Sequence, residues 1–347
     1  MSCGDPGRAA ALSRRLLLYV PGLLGPWGHL DASASAALPK LPGLTGLLQD
    51  ARQAPTPRLD PEVQTLAWFG WDARRAGDLP IAALEQDADA EGYWLKADPV
   101  ILHPDRDRLL LFDGAQADYA PEETQALFAA MHEAFAPLGW RFRDGYLRLP
   151  QDPGLVTTPL RHALGRSVDR LLPRGPDAAR LHGRLTELEM LLHAHPVNQE
   201  RRLRGRATVD GVWLWGGGER PVLQGSPFRK IFDDRRLMRR LAGDGCEPVP
   251  ADGTELVASL AEGENLLILM DLDQAQIYGD IGAWLERLPE LDARWFQPLL
   301  KALQTRRVDE LNLLTGNGRK YSLKAGFRWR WPRWFRSNPQ PWDRHLQ

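Results

Sequence analysis

Cysteine is almost missing from this chain: there are two, Cys3 and Cys246, in 347 residues. Two thiols, one of them close to the N-terminus, cannot build a disulfide framework, so a reducing, cytoplasmic setting fits. Net charge is almost missing too. The 44 Lys and Arg against 45 Asp and Glu leave −1, which argues against a dedicated nucleic-acid binder. No run approaches the ~20 apolar residues that a membrane span needs. There is no internal repeat and no long low-complexity tract. Arg14-Arg15 before Leu16–Val20 resembles the start of a signal peptide, but Pro21-Gly22 cuts the run and no small-residue cleavage site follows. A buried first strand is the better reading. What is present, 43% hydrophobic and 26% charged residues, is the make-up of a globular protein of one large domain or two.

Residues 1–14 are small and polar and read as a frayed end. Leu16–Val20 is apolar without alternation, as in a strand buried on both faces. Helices are expected within 32–48 and over 61–70, and a further element begins at Leu79–Glu85. Tyr93–Ala97 and Arg108–Phe112 flank a Pro104–Asp107 turn as a hairpin. Trp140–Leu149, with Asp144-Gly145, gives a second. The helix between them, 121–136, sets Leu127, Met131 and Phe135 on one face. Ala178–Ala194 carries the stripe Leu181, Leu185, Leu188, Leu191 and Leu192. Strands are expected over 209–215, 265–270 and 308–315. Helices are expected over 237–243, 254–260 and 282–304, the last broken near Pro289 and Pro298. Strands alternating with helices predict an α/β fold, a mostly parallel doubly wound sheet with helices on both faces, over residues 15–326. A small antiparallel hairpin insertion occupies about 90–150.

The most informative stretch runs from His195 to Gly218. A polar turn, His195-Pro196-Val197-Asn198, leads to the aromatic run Val212–Trp215, which stops in Gly216-Gly217-Gly218. Bare backbone N–H groups at a sheet edge can cradle an anion. No Lys-Ser or Lys-Thr follows, so this is not a phosphate loop, and a plain flexible turn is the favoured reading of the three glycines. Asn198, Arg201 and Arg202 either bind an anionic group or fix the loop. His193 and His195, two apart, do not share a helix face, and their place at a helix C-terminus is favoured over a ligand role. Asp271 and Asp273 follow the strand 265–270. With Asp280 they either hold one weak divalent cation or cap the next helix. Ser33, Ser35 and Thr45 have no visible base beside them. Near the C-terminus Trp329, Arg330, Trp331 and Trp334 interleave ring and charge, as an edge strand or as a docking tail for a partner, a membrane surface or a nucleic acid.

At His195–Arg201, Gly205 and Trp213–Gly218 the chain resembles the archaeal-type cofactor-independent phosphoglycerate mutases of the alkaline-phosphatase-like superfamily. Gly92–Val100 and Arg106–Leu109 resemble a bacterial side branch, the RpfE-type regulatory proteins. The resemblance spans most of residues 16–325 and implies a doubly wound core, a two-metal site and a phosphoserine intermediate. It also implies an Asp after the first strand, where this chain has Pro21 or Gly22. An Asp followed by His is implied after 265–270, where Asp271 and Asp273 remain but no His lies up to Asp280. An Asp-His pair is implied after the last strand, where Thr315-Gly316-Asn317-Gly318 stands. Proline and glycine side chains cannot coordinate a metal. The expectation is therefore a non-catalytic or weakly catalytic member that binds a small phosphorylated ligand or a protein partner. No cofactor is expected beyond a weak divalent cation. The alternative is an active phosphotransferase or phosphatase whose Asp98, His103, His195, Asp271 and Asp273 converge on one pocket.

Overall fold

The computed structural model describes residues 13–25, 38–72, 78–87 and 90–326. The Trp329–Trp334 tail, Ser33 and Ser35 lie outside them. Along the chain run strands β1 (Arg14–Tyr19), β2 (Arg52–Pro55), β3 (Tyr93–Asp105), β4 (Arg108–Asp113), β5 (Arg141–Arg143) and β6 (Tyr146–Leu149). They are followed by β7 (Gly211–Trp215), β8 (Lys230–Phe232), β9 (Cys246–Glu247), β10 (Gly263–Ile268), β11 (Glu310–Leu314) and β12 (Arg319–Lys324). The chain divides into two compact units, one formed from its two ends (Met1–Gly70 and Gln224–Gln347) and one from Trp71–Leu223.

The first unit holds a seven-stranded sheet in the order β2-β12-β11-β1-β10-β8-β9. β11, β1, β10, β8 and β9 run parallel, and β12 and β2 close one side antiparallel. The sheet is therefore mostly parallel, as the unalternating apolar runs predicted. Leu18, Leu267 and Leu313 from its centre share a core with Trp284, Trp295 and Phe296 from the C-terminal helices. Those helices differ from expectation. The chain passes Pro289 and Pro298 without a break, because helix Ile281–Leu291 continues through one π turn, Asp292–Phe296, into Gln297–Gln304. The widened turn lets the Gln297 N–H reach back to Asp292 O.

The second unit holds a five-stranded antiparallel sheet, β4-β3-β6-β5 with β7 also on β3. β3 is its hub, thirteen residues long, pairing β6 over Tyr93–Lys96, β7 over Lys96–Val100 and β4 over Val100–Asp105. One face, with Leu95, Leu147 and Leu214, packs on Leu127 and Met131 of helix Pro121–Phe135 and on Leu188 of helix Ala178–Ala194.

Both expected hairpins are present, but the antiparallel unit extends well past 90–150. β7, expected in the parallel sheet, belongs here: a continuous apolar run reports burial, not the direction of its neighbours. Arg14, expected within the frayed segment, pairs with Gly263 in the sheet; residues 1–12 lie outside the described residues.

Candidate functional site

In an open parallel sheet the ligand crevice lies outside the carboxyl ends of the strands. Here four such ends stand side by side: Asp233 after β8, Met270-Asp271 after β10, Pro21-Gly22 after β1 and Thr315 after β11. A cavity of about 410 Å³ opens at the β8–β10 part of this edge, with Asp233, Asp234, Arg235, Asp271, Arg294 and Trp295 in its wall.

Its carboxylates are largely committed. Asp233 is 2% exposed and forms a fork with Arg235, at 3.0 and 2.7 Å from its Nε and Nη2 to Oδ2. Burial alone would lower the Arg235 pKa, but the Asp233 bond and charge outweigh it and raise it. Asp234 accepts the Val249 N–H at 3.2 Å. Arg294 donates to Ala251 O at 2.5 Å and stands 5.2 Å from the Trp295 ring centre. Asp271 is exposed, Asp273 begins helix Asp273–Tyr278, and Asp280 accepts the Ala283 N–H at 2.9 Å as a helix cap. Cys246 donates to Asp233 O, and burial pushes its thiol up to about 11, far from a reactive thiolate.

The remaining two strand ends serve packing. The Gly22 carbonyl accepts the Trp284 indole N–H at 2.9 Å, and at φ +80° the residue leaves no room for a side chain beside Gln276. Asn317 Oδ1 accepts from the Thr315 hydroxyl at 2.8 Å and the Arg319 N–H at 3.1 Å, closing the turn before β12. Thr45 sits within helix Pro42–Gln49, its N–H on Leu41 O.

The residues singled out between His195 and Gly218 all fall in the second unit. His195 caps helix Pro196–Leu203: its Nδ1 accepts the Val197 N–H at 3.2 Å, and burial lowers its pKa. Asn198 is fully buried. It donates to Leu192 O and Val209 O and accepts from Val209 N, tying the preceding helix to the segment that enters β7. Arg201 is 2% exposed, with its guanidinium on Glu123, Ala207 O and Ala117 O and 3.9 Å from the Tyr119 ring centre. Arg202 donates to His193 O.

Of the three glycines, Gly217 offers its N–H to the chain's own Asp78, whose pKa burial raises, while the Gly216 N–H donates to Thr157 Oγ1 at 3.1 Å. The Asp78 carboxylate accepts from Gly217 N–H as well as from Leu79 N–H and from the Thr157 N–H and hydroxyl. A Cβ on Gly217 would stand 2.4 Å from the Tyr93 hydroxyl and 2.8 Å from Leu95 Cδ2. Gly217→Ala is therefore expected to lower stability by about 1–3 kcal/mol through overpacking, read as a drop in the urea midpoint.

Asp98 accepts the Trp215 indole N–H at 2.5 Å, and burial raises its pKa against the pull of Lys96. His103 is exposed on β3, edge-on to Phe112 at 6.5 Å. Asp98, His103 and His195 thus belong to one unit, Asp271 and Asp273 to the other. Among the described residues no group of three or more His, Cys, Asp or Glu side chains is placed to hold a metal ion. The first unit has no histidine among them; His29 and His345 lie outside. Sequence reasoning missed the Asp233–Arg235 fork and the Arg294–Trp295 wall. A three-residue strand shows no periodicity, and nothing local marks a helix that widens.

No family model matches the chain. Curated proteins do match it. The 2,3-bisphosphoglycerate-independent phosphoglycerate mutase of Methanosarcina acetivorans is 27% identical over 225 residues, covering 60% of this chain and 54% of that protein. The enzyme of the same name from Methanothrix thermoacetophila is 38% identical over 77 residues, 22% of this chain and 19% of the relative. Its homologues are phosphoglycerate mutases. The chain spans about half the length of the Methanosarcina acetivorans mutase. Among solved structures, the PH0037 protein from Pyrococcus horikoshii aligns at TM-score 0.51 with 13% identity, over 90% of this chain and 87% of that one. The likeness to PH0037 shows a shared fold.

Proposed function

We propose that this chain is a phosphoglycerate-mutase-like protein that binds a ligand without turning it over, in a regulatory role of the RpfE-type kind. The ligand is a small phosphorylated molecule or a protein partner, and the strand-end cavity of the first unit is where it docks. One observation carries the reading: the donor set along that sheet edge does not fit two divalent ions. Hard cations of phosphoryl transfer need several carboxylates and imidazoles converging on one point. Pro21-Gly22 and Asn317 are built into turns, Asp233 is neutralised by Arg235, and the exposed Asp271 has no imidazole beside it among the described residues.

The test is a coupled assay on the purified chain with 3-phosphoglycerate and Mn2+, Co2+, Zn2+ or Mg2+, alongside metal analysis. The expected result is conversion no faster than without protein and metal well below one ion per chain. Metal-dependent turnover that Asp271→Ala abolishes would reject the reading.

A further inference from the structure

The second unit carries a groove that the strand-end cavity does not involve. About 1200 Å³ of open space runs along β5, β6 and helix Pro121–Phe135, walled by Trp94, Phe128, His132, Arg141, Arg143 and Arg148, with Asp144 the one carboxylate in its lining. The register explains the charge. Trp94 on β3 stands opposite Arg148 on β6, and Arg148 opposite Arg141 on β5, one row across three strands. Arg143 follows two residues on, on the same face as Arg141. Like charges directly opposite each other destabilise a sheet.

Neither Arg141 nor Arg148 has a carboxylate partner among the described residues. Arg141 donates to the Ala136 and Trp140 carbonyls at 3.0 and 3.1 Å, and Arg148 to Glu91 O at 2.7 Å. The guanidiniums are thus held in place by neutral acceptors, with their charge uncancelled. The Trp94 indole N–H is anchored on the same Glu91 carbonyl at 3.2 Å, and His132 Nδ1 is buried with no hydrogen-bond partner among the described residues. A net charge of −1 for the chain averages over this local excess.

We infer that this groove binds single-stranded nucleic acid, its phosphates on Arg141 and Arg148 and a base on Trp94, Arg143 being already paired with Asp144 at 3.0 Å. The space exceeds the roughly 300–1,000 Å³ of small-molecule clefts, which favours an extended ligand. Uncancelled arginines beside an indole are the pairing that single strands use, phosphate to cation and base to ring. An acidic peptide would use the arginines and leave the ring idle.

The experiment is fluorescence anisotropy of a labelled oligothymidylate titrated with the full chain over a salt series. Binding should weaken with a log–log salt slope of about −1.4, from two neutralised phosphates at roughly 0.7 each. Arg141→Gln with Arg148→Gln should cost at least about tenfold in affinity, and Trp94→Ala about fivefold or more, with circular dichroism unchanged. The inference is overturned by absent binding at low salt, or by full affinity in the double arginine variant. It is equally overturned if deleting 327–347 abolishes binding, which would assign it to the Trp/Arg tail, or if polyglutamate competes as well as oligothymidylate. None of these outcomes bears on the strand-end cavity, so this inference and the binding reading above fail independently.

Discussion

Arg201→Met is expected to destabilise the second unit by about 3–5 kcal/mol, the range for breaking a buried, hydrogen-bonded ion pair by removing one partner. The guanidinium is 2% exposed and ties three separate pieces of chain: Glu123 on helix Pro121–Phe135, the Ala117 carbonyl before it, and Ala207 ahead of β7. Methionine fills the volume and leaves those acceptors without their donor. At roughly 2–4 °C per kcal/mol for a domain of this size, the melting midpoint should fall by about 6–20 °C. Arg201→Lys should fall nearly as far, since an ammonium cannot reproduce the planar fork. Thermal and urea unfolding decide the matter. A loss below about 1 kcal/mol in both variants would mean that the network does not hold the unit together, and would return Arg201 to the list of anion-binding residues.

The second large effect lies in the first unit. Helix Pro42–Gln49 has no capping side chain of its own: Leu41 stands at the cap position and Pro42 follows. Asp292 supplies the cap from the π turn. Its carboxylate, 1% exposed, accepts Gly43 N–H at 3.1 Å and Leu44 N–H at 2.7 Å, and also the Gln297 amide at 2.9 Å. Asp292→Ala leaves two buried N–H groups unsatisfied, at about 1–3 kcal/mol each, so a loss of about 2–6 kcal/mol is expected. Asp292→Asn should cost roughly half, because one amide oxygen still accepts while the charge facing the helix N-terminus is gone. Equal midpoints for Asp292→Ala and the parent in urea would refute the capping role.

Both positions show why the candidate site was only partly legible. Arg201 and Asn198 stood in the stretch that most resembled a mutase, and their residue types alone suit anion binding. Whether a guanidinium meets a ligand or a carbonyl depends on what the chain brings to it from 80 residues away, as Ala117 and Glu123 are brought here. Gly216-Gly217-Gly218 read as a plain turn or as an anion nest, and sequence alone could not say what would meet its N–H groups. What meets the Gly217 N–H is Asp78, distant in sequence and held through Thr157. The Asp233–Arg235 fork went unseen because β8 is only three residues long.

By itself the sequence determined the local elements: the apolar runs of β1, β10 and β11, the Leu stripe of Ala178–Ala194 and the two hairpins. These are set by period and by residue chemistry within a few neighbours. Tertiary structure alone decided that β7 pairs with β3, that the His195–Gly218 stretch belongs to the antiparallel unit, and which buried charges found partners inside the chain. Those outcomes turn on contacts between residues remote in sequence, where burial makes each unpaired polar group costly and so selects one arrangement.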